Sequence, residues 1–432
     1  MAELPRTEWT QGAGLRALVT ALGEGNARYV GGAVRDTLLG LEAHDIDIAT
    51  PLEPVEVIAR LDAAGIRSVP TGLKHGTITA IRESGNVEIT TLRKDVATDG
   101  RHAEVAYTSD WQEDAARRDF TINALYADPV TLAVTDWFGG LDDLKARRVR
   151  FIGDPAARIR EDHLRILRYF RFQARFGSDP ADEAAEAACA DLAATLKGLS
   201  RERVGWELQN LLALPDPAPT VARMAELSVL GVILPEAEPT ALAELVAEEA
   251  RQAVEPDWLR RLASLLPPDP ALAERVAARF RLSVAQKKRL IRAAGREGNI
   301  PLRDGEVGRS DGGGSRPAAA SRGDADPLHH PTGGPSPRSG EDQDARALAY
   351  RLGLDQALDR LLLTGADTAP LKDWAIPKFP LKGGEIVARG VKAGPEVARV
   401  LRSVEDRWVA EGFSSADKIE QMLIETLEAR SG

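Results

Sequence analysis

The rhythm of apolar positions changes near residue 150 and divides the chain into two kinds of structure. Before that point short runs alternate in type. "ARYV" (27–30) reads as a strand running into a Gly-Gly turn, and "VRDTLLGL" (34–41) as a short helix. "DIDIAT" (45–50) alternates like a strand, whereas "VEVIARLDAAG" (55–65) repeats its apolar residues at helical spacing. "GTITAIR" and "NVEITTLR" are β-branched runs joined by "ESG", the pattern of a hairpin. From about residue 155 the pattern turns to long Ala/Leu/Arg-rich helical stretches with few strand signals. The expected fold class is therefore α+β, a mixed head followed by all-helical segments. Residues 303–345 are dominated by Gly, Ser, Pro and charge and read as a disordered insertion, with His329 and His330 in it solvent-exposed and idle. No repeat of fixed period is present.

Composition narrows this picture only moderately. A chain of 432 residues exceeds the usual size of one core, so two or more domains are expected. No run of 18 apolar residues occurs, and the amino terminus lacks the basic-then-apolar pattern of a secretory signal, so no membrane partner is expected. Cys189 is the only cysteine, which excludes an intrachain disulfide or a cysteine-cluster zinc site and fits a reducing cytoplasm. The net charge of −10 means that a nucleic-acid partner has to be held by local basic patches. The sequence leaves the oligomeric state open.

Candidate chemistry concentrates in the head. Side chains alternate across a strand, so Asp45 and Asp47 share one face while Ile46 and Ile48 point into the core. Two carboxylates so held can bridge hard divalent cations such as Mg²⁺. Gly31 and Gly32 let backbone approach a triphosphate, a helix beginning near Val34 offers free amides to its phosphates, and Arg35 adds a charged clamp. Glu88 lies on a strand that can pair beside the Asp strand, as a third carboxylate or as a salt-bridge partner. "RKDVATDGRH" (93–102) reads as a polar, mobile loop. In "RRDFTINAL" Arg118 suits a phosphate and Asp119 or Asn123 a ribose hydroxyl, unless the Arg-Arg-Asp run is a helix-cap ion pair. In "REDHLRILRYFRF" (160–172) Asp162, Arg165, Arg168 and Arg171 recur every three residues on a helix, beside an apolar stripe of Leu164, Leu167 and Phe170. A carboxylate and a guanidinium there can pair with the Watson-Crick edge of a base, or form ion pairs along a solvated helix.

Taken in order, "GGAVRD", "DIDIA", "GLKHGTITA", "VEITTLR", "DGRH", "RRDFTINAL", "DWFGGLDDL", "EDHLRILRYFRF" and "RERVGWEL" resemble the class II tRNA nucleotidyltransferase (CCA-adding enzyme) and poly(A) polymerase family. The resemblance covers most of 27–212 and resumes over 379–413, which is similar to the tRNA-binding tail of bacterial CCA-adding enzymes. It implies a nucleotidyltransferase head (27–150) after an amino-terminal segment (1–26), a helical neck (151–215), a body (216–302) and a tail (346–432). It further implies Asp45 and Asp47 as metal-binding catalytic carboxylates, Gly32, Arg35 and Arg118 at the incoming nucleotide and Asp119 near its ribose; the residue chemistry above adds Glu88 as a catalytic candidate and Gly31 and Asn123 as nucleotide contacts. Asp162 and Arg165 would select CTP and then ATP, and Arg168 and Arg171 would contact the nucleotide. Arg203 and Glu207 would brace the neck, and Lys378, Lys382 and Lys392 would hold tRNA. The implied activity is Mg²⁺-dependent, template-independent addition of C, C and A to the tRNA 3′ end. A histidine-aspartate phosphohydrolase domain is not expected, since the chain holds only six histidines. "GLKHGTITA" departs from the Arg-rich signature of bacterial poly(A) polymerases and favours CCA addition, and "DGRH" disfavours a CC-only enzyme. Poly(A) synthesis, partial CC or A addition, and a non-catalytic RNA-binding protein remain the alternatives.

Overall fold

The computed structural model describes residues 2–43, 45–83, 85–98, 103–296 and 339–429. It divides into two compact units: Met1–Val246 with Pro256–Pro267 and Glu274–Lys287, and Ala247–Glu255 with Pro268–Ala273 and Lys288–Gly432.

The first unit is built on a seven-stranded sheet in the order β3-β4-β5-β2-β1-β8-β9. Its strands are β1 (Arg28–Val30), β2 (Ile46–Thr50), β3 (Ser68–Gly72), β4 (Thr77–Ala80), β5 (Val87–Thr91), β8 (Leu125–Ala127) and β9 (Val134–Asp136). Every neighbouring pair is antiparallel except β2 with β5. The expected hairpin is thus β4-β5. β6 (Arg93–Thr98) and β7 (Ala103–Tyr107) form a separate two-stranded ribbon. The stretch expected to be a loop is therefore mostly strand, because backbone pairing suffices for a ribbon and its polar composition concealed this. The "DGRH" tip, 99–102, lies outside the described residues.

The helices of this unit begin with α1 (Glu8–Gln11), α2 (Ala13–Leu22), α3 (Gly32–Leu38), α4 (Pro54–Ala63), α5 (Trp111–Ala116) and α6 (Gly140–Lys145). They continue with α7 (Pro155–Glu161), α8 (Arg165–Phe176), α9 (Glu183–Asp191) and α10 (Arg201–Leu212). In α2, Leu15, Leu18 and Leu22 recur at helical spacing and are buried, and this stripe packs α2 against α4. Further along the chain, an aromatic cluster seats α8. Phe120 lies 4.9 Å from Phe151 and 5.0 Å from Phe172, and Phe151 stacks on Tyr169 at 5.7 Å. Rings in such arrangements contribute roughly 0.5–1.5 kcal/mol per pair beyond their burial, enough to fix the angle of the helix. α8 in turn packs on α10.

The second unit is helical. Ser339–Leu352 and Leu354–Leu363 pair through Ala345, Leu348, Ala349 and Ala357. Pro395–Ala410 and Ala416–Glu428 enclose a core with Trp408 at its centre. The first of these helices begins at Ser339, inside the segment expected to lack structure, because Ala345, Leu348 and Ala349 already carry a helical apolar repeat. His329 and His330 lie outside the described residues. Among the described residues no helix is long and apolar enough to cross a membrane.

Candidate active site

β1 delivers the chain to Gly31, whose φ of 67° lies in the left-handed region that favours glycine. A Cβ there would also come 3.2 Å from Arg118 Nη1. α3 then begins at Gly32, two residues earlier than Val34, so the first-turn amides sit directly at the turn.

Asp45 precedes β2 and Asp47 lies within it, and parallel pairing sets Glu88 of β5 directly beside Asp47. Ile48 is fully buried as expected, but Ile46 is only half-buried because it opens the strand beside the exposed Asp45. Burial and the negative charges of Glu88 and Asp45 push the Asp47 carboxyl up to about 6, against the pull of Arg118. Among the described residues no three His, Cys, Asp or Glu side chains close into a metal cage by themselves.

The basic side is anchored by groups the sequence reading left out. The Arg118 Nε donates to the Tyr126 hydroxyl at 3.0 Å and its Nη2 pairs with Asp114 at 3.4 Å. Asp114 also receives Arg117 at 3.1 Å, the Arg93 amide at 3.0 Å and the Tyr126 hydroxyl. Burial alone would raise this carboxyl, but Arg118, Arg117 and these hydrogen bonds outweigh it and hold it below the usual carboxylate range. Asp114 stands three and four residues before its two arginines, a helical ion-pair spacing that was present in the sequence. Arg35 donates to Asp36 at 2.7 Å and to Asn123 Oδ1 at 2.5 Å, with its guanidinium 4.1 Å from the Phe176 ring centre. Asp119 is buried; it accepts from the Phe120 amide and Asn123 Nδ2, each at 2.9 Å, and from Arg168 Nε at 2.7 Å.

The helix expected over 160–172 is broken. α7 ends at Glu161, Asp162 is extended with φ −146° and ψ 106°, and α8 starts at Arg165. The break arises because Asp162 Oδ1 accepts the Leu164 amide at 3.1 Å, a local bond that competes with the helix. Asp162 Oδ2 receives Arg203 of α10 at 2.8 Å. Arg165 is held by Glu161 Oε2 at 2.5 Å and by the carbonyls of Arg158 at 3.0 Å and Arg117 at 3.1 Å. One turn beyond Arg168, the Arg171 Nε donates to Glu207 Oε2 at 2.7 Å.

A cleft of about 620 Å³ opens among these groups. It brings together Gly31, Gly32, Arg35, Asp45, Asp47, Glu88, Arg118, Asp119, Asn123, Asp162, Arg165 and Arg168. Arg171 is not among its lining residues, which departs from the expected contact with the nucleotide; its pairing with Glu207 draws it away. Arg203 does line the cleft, so it reaches the site as well as joining neck helices, whereas Glu207 braces as expected. Thr90, Arg93, Arg117 and Phe172 also line it. In the second unit Lys378, Lys382 and Lys392 are exposed, while Arg389 is paired with Glu420 at 2.6 Å.

Residues 27–150 match the family described as Poly A polymerase head domain, and 182–240 match the probable RNA and SrmB- binding site of polymerase A. Solved structures share the fold. The Bacillus stearothermophilus CCA-adding enzyme in complex with CTP aligns with TM-score 0.67 and 23% identity over 96% of this chain and 97% of its own. The Thermotoga maritima CCA-adding enzyme complexed with tRNA aligns with TM-score 0.64 and 20% identity over 96% and 95%. Sequence likeness goes further. The mitochondrial CCA tRNA nucleotidyltransferase 1 of Danio rerio is 34% identical over 391 residues, covering 88% of this chain and 83% of the relative. This chain belongs to the CCA tRNA nucleotidyltransferase family. The Streptococcus gordonii CCA-adding enzyme, another relative, is 42% identical over 191 residues, 44% of this chain and 46% of its own. Within the family match, the head-domain segment carries every cleft residue from Gly31 to Asn123, and the second segment carries Arg203 and Glu207.

Proposed function

We propose that this chain adds C, C and A to the 3′ end of tRNA from CTP and ATP, without a nucleic-acid template and with release of pyrophosphate. The observation that carries the reading is that Asp162 and Arg165 line the same cleft as the Asp45, Asp47 and Glu88 carboxylates and the Gly31-Gly32 turn. Cytosine and adenine both present an amino donor next to a ring-nitrogen acceptor, whereas uracil and guanine present a carbonyl next to a ring N–H. An aspartate acceptor beside an arginine donor matches the first pattern and opposes the second. Asp162 retains acceptor capacity after its bonds to Leu164 and Arg203, since a carboxylate offers about four lone-pair sites.

In the reaction the terminal RNA hydroxyl attacks the α-phosphorus, a new P–O bond forms as the bond to the β-phosphate oxygen breaks, and pyrophosphate leaves. Arg118 and Arg35 and the first amides of α3 hold the phosphates, and Asp119 and Asn123 orient the ribose end of the nucleotide. Asp45 and Asp47 would hold Mg²⁺, with Glu88 beside them. The fit is supported by the mutual repulsion that raises Asp47, which a cation would relieve, and by the hard carboxylate oxygens that strand pairing sets side by side at Asp47 and Glu88. When bound, Mg²⁺ supplies the positive charge that acidifies the attacking hydroxyl and offsets charge on the leaving phosphate. Lys378, Lys382 and Lys392 are read as phosphate contacts for the tRNA body. The head, neck, body and tail division is retained as a proposal, as is a cytoplasmic setting, with which a single buried cysteine is compatible.

The base-reading assignment has a direct test. Asp162→Ala is expected to narrow the preference for CTP and ATP over UTP and GTP by about ten- to a hundredfold, the worth of one good base contact. Measured as ratios of kcat/KM for the four nucleotides, unchanged ratios would remove Asp162 from the reading.

A further inference from the structure

Trp206 is an exposed aromatic on α10 that the cleft does not use. It is 54% exposed, an unusual state for the largest side chain, and it is three residues from Arg203, which lines the cleft. That spacing sets the two on neighbouring turns of one helix face. The Arg171 guanidinium lies 5.7 Å from the Trp206 ring centre and 4.9 Å from that of Phe172. Glu207 fixes Arg171 there through its 2.7 Å bond. Arg168 pairs with Asp119 as well as with Glu207, so Arg171 and Glu207 form the ion pair that lies beside the indole.

We propose that Trp206, steadied by Arg171, stacks an unpaired nucleotide of the RNA 3′ strand at the rim of the cleft. The inference rests on the nucleotide-adding reading and gives Arg171 a role outside the cleft. An exposed indole offers a flat apolar face that every base can cover, and a nearby guanidinium supplies a second planar surface. Among macromolecular partners this combination favours single-stranded nucleic acid, because an exposed indole backed by a guanidinium plane can stack any base, and the same helix carries Arg203 into the cleft. The incoming nucleotide is disfavoured as the occupant, since Trp206 does not line the cleft where the phosphate-holding groups lie.

The test uses the full chain and a 5′-fluorescein-labelled tRNA transcript ending before its CCA. Binding is read by anisotropy, separately from incorporation of CTP and ATP. Trp206→Ala is expected to weaken RNA binding by roughly five- to a hundredfold, the range for loss of one aromatic-base stack. The KM for CTP and ATP should stay within about twofold of wild type, and Trp206→Phe should recover most of the affinity. A thermal melt matching wild type shows that the alanine variant folds, as expected for an exposed side chain. Unchanged RNA affinity in Trp206→Ala, or a rise confined to the KM for nucleotides, would overturn the proposal. Failure of the wild-type chain to incorporate nucleotide while Trp206→Ala still weakens RNA binding would instead overturn the enzymatic reading and keep the stacking surface.

Discussion

Asp47→Asn is expected to leave nucleotide incorporation at about a thousandth of the wild-type rate or less, with RNA binding nearly intact. The substitution is nearly isosteric, and β2 is held on both sides by β1 and β5, so the strand keeps its place. What disappears is one of the carboxylates that strand pairing holds together at the cleft against burial and mutual repulsion. Because the folded chain carries that repulsion as a cost, its removal should leave thermal stability unchanged or slightly raised. Rates at saturating CTP and RNA, together with anisotropy of labelled tRNA, separate the two effects. Incorporation above about a tenth of wild type would show that the reaction does not depend on this carboxylate, and loss of RNA binding as well would point to misfolding.

Glu207→Ala is expected to destabilise the first unit by about 3 kcal/mol, the cost of leaving a largely buried guanidinium without its counter-charge. The Glu207 side chain is 1% exposed and that of Arg171 16%, so water screens the pair little. Arg168 retains Asp119, but Arg171 has no second carboxylate to turn to among the ion pairs of the described residues. Glu207→Gln keeps a hydrogen-bond acceptor and should lose about half as much. Denaturant unfolding followed by circular dichroism checks both variants. A loss below about 1 kcal/mol for the alanine variant would mean that α8 and α10 are held by apolar packing alone.

The features legible in the sequence are those fixed over short distances along the chain. The two-residue period of "DIDIA" and the hairpin of "GTITAIR" and "NVEITTLR" were readable locally, and a pairing of the Glu88 strand beside the Asp strand was anticipated, though not its parallel direction. The change to helices after the head was likewise visible in apolar spacing. Features that depend on side chains meeting through space were harder to read. Arg203 reaches Asp162 across 41 residues, and Arg171 leaves the cleft for Glu207 across 36. A triplet spacing of charges could not reveal either, because it assumes an unbroken helix, and the Asp162 carboxylate that accepts the Leu164 amide is what breaks it. Asp114 is an intermediate case. Its spacing to Arg117 and Arg118 was visible, but its role depends on Tyr126 and Arg93 arriving from strands β8 and β6.

The central claim is tested most directly by incorporation into a tRNA transcript lacking its CCA end, with Mg²⁺ and CTP alone, ATP alone, and both. The account predicts two C residues with CTP alone and CC followed by a single A with both. Long runs of A, a stop after CC with both nucleotides present, or no incorporation at all would contradict it.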